Sequence, residues 1–245
     1  MSDRDRPLVD PDHPETWPRR LTELMQRVDD VVSAAEYAGD LDVPDEVDAE
    51  FRGALAGAQL RAFHATRLLP HEVDGIRLGG LNVFSRELFD NRIDEAYGAG
   101  HLTTPQWRRL RNAHMYAVGE EHARGRREGQ VCLTLRSTAF DHGADSLLSN
   151  WGGEGLYFST GAVGIEPLLH QLGEPSIVVV AVDVRSTCQQ QPIFPTIGRT
   201  LLGAWRGLPD GADLFHRAPI PGSDVLDIWQ PGRPEYDEIP TLPRA

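Results

Sequence analysis

The chain contains no lysine: all 24 of its Lys/Arg cations are arginine. Any phosphate contact must therefore come from a guanidinium, a backbone N–H or a hydroxyl. Only two cysteines occur, Cys132 and Cys188, with no Cys-x-x-Cys pair, which argues against a disulfide framework and a thiolate zinc site. Both read as small core residues on strands. No apolar run approaches the roughly 18 to 20 residues needed to cross a bilayer. The longest, Ile177 to Val182, has the length of a buried strand. Met1 to Asp12 is polar and acidic and lacks a hydrophobic signal region, so the chain is expected to be cytoplasmic. A Gly-x-Gly-x-x-Gly turn, a Walker motif and a Gly-x-Ser-x-Gly elbow are all missing, which removes support for the commonest nucleotide-binding folds and for an α/β-hydrolase. His71-Glu72 lacks the second histidine of His-Glu-x-x-His, and His114 and His122 have no common metal spacing, so no metal is expected.

What is present fits a globular protein of one large domain, or one domain with an appendage. The 40% apolar and 25% charged fractions are enough to build a sizeable core. The net charge of −13 is uneven: the first fifty residues hold 15 acidic groups against 5 arginines. An acidic surface argues against tight, sequence-blind duplex binding, which needs a basic footprint.

Residues 1–16, rich in Asp and Pro, read as a disordered acidic arm. Residues 17–58 read as a helical segment. Its first helix runs from Pro18 to about Ala38, with Leu21, Leu24, Met25, Val28, Val31, Val32 and Ala35 at helical spacing. Its second runs from Asp45 or Asp48 to about Gln59. The main domain is expected over 59–230. Strands are expected at Leu60–Thr66, Val131–Leu135, Leu156–Ser159 and Ser176–Val184, with another within Ile220–Trp229. Helices are expected at Leu69–Gly79, from Ser85 past Ala96, from Thr104 to about Glu121, at Ile165–Leu172 and at Ile197–Trp205. Arg108, Arg109 and Arg111 read as a solvated face. The tail, 231–245, is proline-rich and irregular. Helices come first and then mix with strands without regular βαβ alternation, which favours an α+β class.

Two short segments carry the chemistry. The first is Phe63-His64-Ala65-Thr66-Arg67, followed by Ile76 and a Gly79-Gly80-Leu81 turn. The second, about ninety residues later, is Trp151-Gly152-Gly153-Glu154-Gly155-Leu156-Tyr157-Phe158-Ser159. Taken singly, His64 is more often a satisfied core histidine and Tyr157 a half-buried aromatic. Together, in this order, they resemble the two nucleotide-binding motifs of the ADP-ribosyltransferase superfamily, its poly-ADP-ribose-polymerase-like branch in particular. The resemblance implies a split β-sheet core with flanking helices, and NAD as co-substrate. His64 and Tyr157 would be catalytic, and His64, Thr66, Arg67, Gly155, Tyr157 and Ser159 would contact NAD. The histidine would hold a ribose hydroxyl, the backbone beside it would meet the nicotinamide amide, and Tyr157 would stack on the nicotinamide ring. Ala65 departs from the glycine many relatives carry. Arg67 or Arg136 could reach the pyrophosphate with a bidentate guanidinium, and Trp151 could line the cleft.

The implied reaction cleaves the nicotinamide–ribose bond through an oxocarbenium-like transition state and transfers ADP-ribose to an unknown acceptor. A bacterial toxin or defence role is what the resemblance suggests. A late-strand glutamate is usual in that family, and none is evident here. Asp224, Asp227, Glu235, Glu238, Asp183 and Glu154 are the candidates. Two alternatives remain open at this point: an NAD-using RNA 2′-phosphotransferase, and a non-catalytic nucleotide- or protein-binding module on the same fold. The acidic N-terminal segment could meet a protein partner, occlude the cleft or serve solubility.

Overall fold

A computed structural model describes residues 6–30, 32–33, 35–120, 127–141, 144–188, 196–208 and 213–243. The fold is α+β. Among the described residues, seven strands form a sheet in the order β5-β6-β3-β2-β4-β7, with β1 pairing β2. They are β1 (Leu8–Val9), β2 (Gln59–Leu68), β3 (Val131–Thr134), β4 (Glu174–Asp183), β5 (Thr187–Cys188), β6 (Asp213–His216) and β7 (Val225–Trp229). β2 is antiparallel to β3, with Phe63 opposite Thr134, and β5 is antiparallel to β6. The chain clusters into two compact units. No helix among the described residues is long and apolar enough to cross a membrane.

The first unit comprises Met1–His64, Cys132–His142 and Val179–His216. Its helices are α1 (Arg19–Asp29) and α2 (Asp45–Ala54), together with a late helix, Ile197–Trp205, numbered α10 in chain order. α1 buries Leu21, Leu24, Met25 and Val28, the helical stripe expected from their spacing. It ends at Asp29, short of the expected Ala38. Arg206 explains the stop: its guanidinium donates to the carbonyls of Asp29, Val32 and Ser33 at 2.9, 2.8 and 2.9 Å, satisfying acceptors that a longer helix would use. Val31, part of the expected stripe, lies outside the described residues. α10 begins where Thr196 caps the Arg199 N–H and Asp48 Oδ1 accepts the Gly198 N–H at 2.8 Å. A Cβ on Gly198 would fall 2.5 Å from the Phe51 ring, so glycine lets α10 pack closely on α2.

The expected disordered arm is ordered where it is described. Leu8 and Val9 pair in parallel with Gln59 and Leu60. Asp10 pairs with Arg61, Asp12 Oδ2 accepts the Ser137 N–H at 3.0 Å, and Trp17 Nε1 donates to the Asp10 carbonyl at 2.6 Å. The acidic composition that suggests disorder instead supplies partners for Arg61 and Arg136. Arg136 is one of them: it is 7% exposed, donates to the Leu208 carbonyl at 2.6 Å and lies 3.6 Å from Asp12. Its guanidinium is engaged within this unit. Cys132, read as core, is half-buried on β3.

The second unit comprises Ala65–Val131, Gly143–Val178 and Arg217–Ala245. It holds α3 (Pro70–Gly79), α4 (Arg86–Gly98), α5 (Thr104–Ala113), α6 (Met115–Val118), α7 (Asp145–Ser149), α8 (Glu154–Tyr157), α9 (Glu166–Gln171) and α11 (Pro234–Asp237). Leu69, Ile93, Leu110, Trp151, Leu156 and Leu169 lie at the centre of its core. Gly80, at φ 90°, ends α3 against the backbone of Ile220 and Pro221, and Leu81 pairs with Ile220. A side chain at Gly80 would collide with the Ile220 carbonyl oxygen, so this turn accepts only glycine.

Two expectations are corrected in this unit. The helix expected from Thr104 to Glu121 breaks at His114, whose backbone is extended (φ −70°, ψ 155°). The break is held by Ser159, whose hydroxyl donates to the Ala113 carbonyl at 2.5 Å. Gly161 packs at the same point, with space for no Cβ beside that carbonyl. Glu121 and His122 lie outside the described residues. The strand expected at Leu156–Ser159 is instead the helical turn α8, with a 3-10 turn after it at Thr160–Ala162. Gly152 and Gly153 adopt φ values of 86° and 55°, which turn the chain into α8.

Candidate functional site

Arg67 of the first segment and Trp151 of the second are joined, in the second unit, through a buried polar network. Leu69 opens α3, and Glu72 reaches back to accept its N–H at 2.7 Å. The same Oε2 accepts the Trp151 indole N–H at 2.9 Å, while Oε1 pairs with Arg92. Arg92 also donates to the Arg67 carbonyl at 2.9 Å and lies over the Trp151 ring, 5.0 Å from its centroid. Glu72 is 8% exposed and Trp151 fully buried. Burial alone would push the Glu72 carboxyl up, but the Arg92 charge and the N–H donors outweigh it and hold the group below its ordinary range.

Arg67 completes the tie. Its guanidinium donates to three backbone carbonyls, Leu172 at 2.9 Å, Leu148 at 3.1 Å and Gly173 at 2.6 Å. Burial lowers its pKa, with Tyr236 and Glu174 opposing the shift. A guanidinium bonded to three carbonyls is a structural clamp, a role the sequence reading did not give it. It joins the end of β2 to both flanks of the glycine-rich segment. Neither Glu72 nor Arg92 stands out in the sequence; Glu72 draws notice only as part of an incomplete metal motif. The available signal was the spacing of a glutamate three residues after the residue that caps a Pro-initiated helix.

The other expected site residues divide. Gly155 is required by packing: a Cβ there would lie 1.9 Å from the Phe89 ring. Ser159 is 4% exposed and spends its hydroxyl on the Ala113 carbonyl and the Gly161 N–H. Both therefore have structural roles that the sequence reading assigned to ligand contact. Thr66 is 5% exposed, and its hydroxyl lies 3.5 Å from the Arg67 carbonyl, too far for a strong hydrogen bond.

Tyr157 ends α8 half-buried against the core of the second unit, with the Phe158 ring 4.3 Å away at 44°. Burial pushes its hydroxyl pKa up strongly and the Glu154 charge adds to this, so the phenol is neutral at any physiological pH. Glu154 pairs with Arg127, which also lies over Phe158 at 5.8 Å. His64 belongs to the first unit, half-buried on β2, with Nδ1 2.8 Å from the Cys132 carbonyl. A carbonyl can only accept, so Nδ1 carries the proton.

The remaining carboxylate candidates are also located. Asp183 bonds Arg185 and Arg6, and the Arg185 hydrogen bonds hold its carboxyl down at about 2. Asp227 accepts its neighbour's N–H at 2.8 Å and pairs with Arg233 at 2.7 Å. Glu235 lies 3.6 Å from Arg233, Glu238 is exposed and Asp224 is in a 3-10 turn. A shallow depression lined by Pro105, Gln106, Arg109, Ile165, Pro167 and Leu168 contains none of the motif residues.

Comparison with protein-family models, with curated proteins and with solved structures finds no match to this chain.

Proposed function

We propose that the chain is an ADP-ribosyltransferase-like enzyme that binds NAD, cleaves its nicotinamide–ribose bond and transfers ADP-ribose to an acceptor. One observation carries this reading. Two segments about ninety residues apart, recognised together in the sequence, are joined through Arg92, which donates to the Arg67 carbonyl and lies over the Trp151 ring. A buried support of this kind is what holds the residues of a binding site in place. The α+β class is compatible with that superfamily.

The chemistry assigned to each residue is modest. The Tyr157 ring supplies a neutral, electron-rich face for the nicotinamide cation. His64 would hold a ribose hydroxyl, as the resemblance implies. Bond cleavage sends the C1′–N electron pair to the nicotinamide ring, which leaves neutral.

The test is nicotinamide release from NAD by the purified protein, alone and with cell lysate as a source of acceptor. Release that is lost in Tyr157→Ala and in His64→Ala is the expected result. Tight NAD binding without release would make the chain a nucleotide-binding module, and a cyclic phosphorylated ADP-ribose product would make it an RNA 2′-phosphotransferase. Absence of both binding and release would refute the proposal.

A further inference from the structure

We infer that the shallow groove between α5 and α9, in the second unit, docks a peptide segment of a partner protein in which an apolar side chain stands beside a carboxylate. The inference is independent of the NAD-cleaving reading, because no motif residue lines this groove.

The groove has a volume of about 350 Å³ and is walled by one face of each helix. α5 supplies Pro105, Gln106 and Arg109, and α9 repeats the same spacing with Pro167, Leu168 and Gln171. Ile165, 1% exposed, forms the apolar floor, and Leu168 is half-buried beside it against the core. Ligand pockets usually run to about 300–1,000 Å³ and enclose most of what they hold. A shallow groove at the low end of that range suits one or two side chains of a larger partner better than a whole small molecule. Val163 enlarges the apolar surface next to it: its carbonyl accepts from Arg109 Nη2 at 3.2 Å, and the residue is 78% exposed. A Cβ on Gly164 would lie 3.1 Å from the same Nη2, so the glycine leaves the guanidinium its place at the rim.

Charge supplies the other half of the partner's chemistry. The chain has 37 acidic residues to 24 arginines, enough to pair every guanidinium. Arg111, on the same helix, is paired, 2.6 Å from Asp90 and 3.7 Å from Asp94. Arg109 and its neighbour Arg108 are both exposed, and among the described residues neither pairs with a carboxylate. Glu166, exposed at the start of α9, pairs with neither of them and lines no part of the groove. The bond to Val163 occupies one Arg109 nitrogen and leaves the rest of the fork for a carboxylate. Gln106 turns its Oε1 to the Thr103 N–H at 2.8 Å, so its amide nitrogen is the end left to donate to a peptide carbonyl. An apolar floor with a guanidinium and an amide donor at its edge matches an apolar residue next to an aspartate or glutamate.

The test uses the full chain and fluorescein-labelled peptides Gly-Gly-Leu-Asp-Gly-Gly and Gly-Gly-Phe-Asp-Gly-Gly, read by fluorescence anisotropy. Controls replace Asp by Asn, or the apolar residue by Ser. At least one Asp peptide should bind, and its Asn and Ser controls should bind about tenfold or more weakly, the first for loss of a charged hydrogen bond and the second for loss of apolar burial. Binding should also weaken as salt rises. Arg109→Gln should weaken it about tenfold, and Gln171→Trp, which fills the groove from an exposed position, should abolish it. Both variants should keep the wild-type thermal midpoint. No binding by any peptide, equal binding of Asp and Asn peptides, or undiminished binding by Arg109→Gln would overturn the inference. Binding of hexanoate without the peptides would make the groove a small-molecule site, and self-association lost in Arg109→Gln, read by sedimentation velocity, would make it a contact between copies; either result would overturn the peptide partner.

Discussion

Removing the Glu72 carboxylate should be among the most damaging single changes in the second unit. Glu72→Ala leaves Arg92, whose side chain is 17% exposed, without its ion-pair partner, and strands the Trp151 indole N–H and the Leu69 N–H. Breaking a buried pair from one side costs about 3–5 kcal/mol, because the surviving charge stays desolvated. That is a large share of the ~5–15 kcal/mol by which a domain is usually stable. Glu72→Gln keeps one acceptor oxygen and the side-chain volume, so it should cost less, though Arg92 still loses its counter-charge. Urea unfolding followed by tryptophan fluorescence measures both. The pH dependence has a fixed sign: because the folded-state pKa is depressed, the contribution is complete above the ordinary glutamate value of about 4.3 and is lost as pH falls through the folded value. A Glu72→Ala variant within about 1 kcal/mol of wild type would refute the claim that this network ties the two segments.

Two further outcomes follow from packing and burial. Gly155→Ala should destabilise by about 1–3 kcal/mol because its Cβ overlaps the Phe89 ring, and Phe89→Leu in the same chain should recover part of the loss in a double-mutant cycle. Burial depresses the pKa of His114, stacked 5.8 Å from Phe89, so the stability it contributes is present above about pH 6.5 and declines as pH falls from there through its folded value; His114→Phe should flatten the thermal midpoint between pH 8 and pH 5.5, read by calorimetry.

The parts of the fold that the sequence makes legible are those set by local pattern. β4 follows from the aliphatic run Ile177–Val182, and the late helix α10 matches its expected span, Ile197–Trp205. What escapes a sequence reading depends on distant partners. The break at His114 is invisible locally because Ser159, which caps Ala113, is 46 residues away. β1 is hidden by its acidic surroundings, whose partners Arg61 and Arg136 come much later in the chain. Leu156–Ser159 is a short apolar and aromatic run, for which strand and helix are indistinguishable by period; the left-handed glycines before it and the packing of Gly155 on Phe89 select the helix. At the candidate site, the motif segments are legible but not the division of labour within them. Arg67 resembles an anion ligand until its three carbonyl partners, 81 to 106 residues away, are known.

The most direct measurement of the central claim is the rate of nicotinamide release from NAD by wild type, Tyr157→Phe and Tyr157→Ala. Stacking on the ring, with the hydroxyl held neutral and taking no part, predicts that wild type and Tyr157→Phe turn over at similar rates while Tyr157→Ala loses turnover. No release by the wild type, or equal release by Tyr157→Ala, would contradict the account.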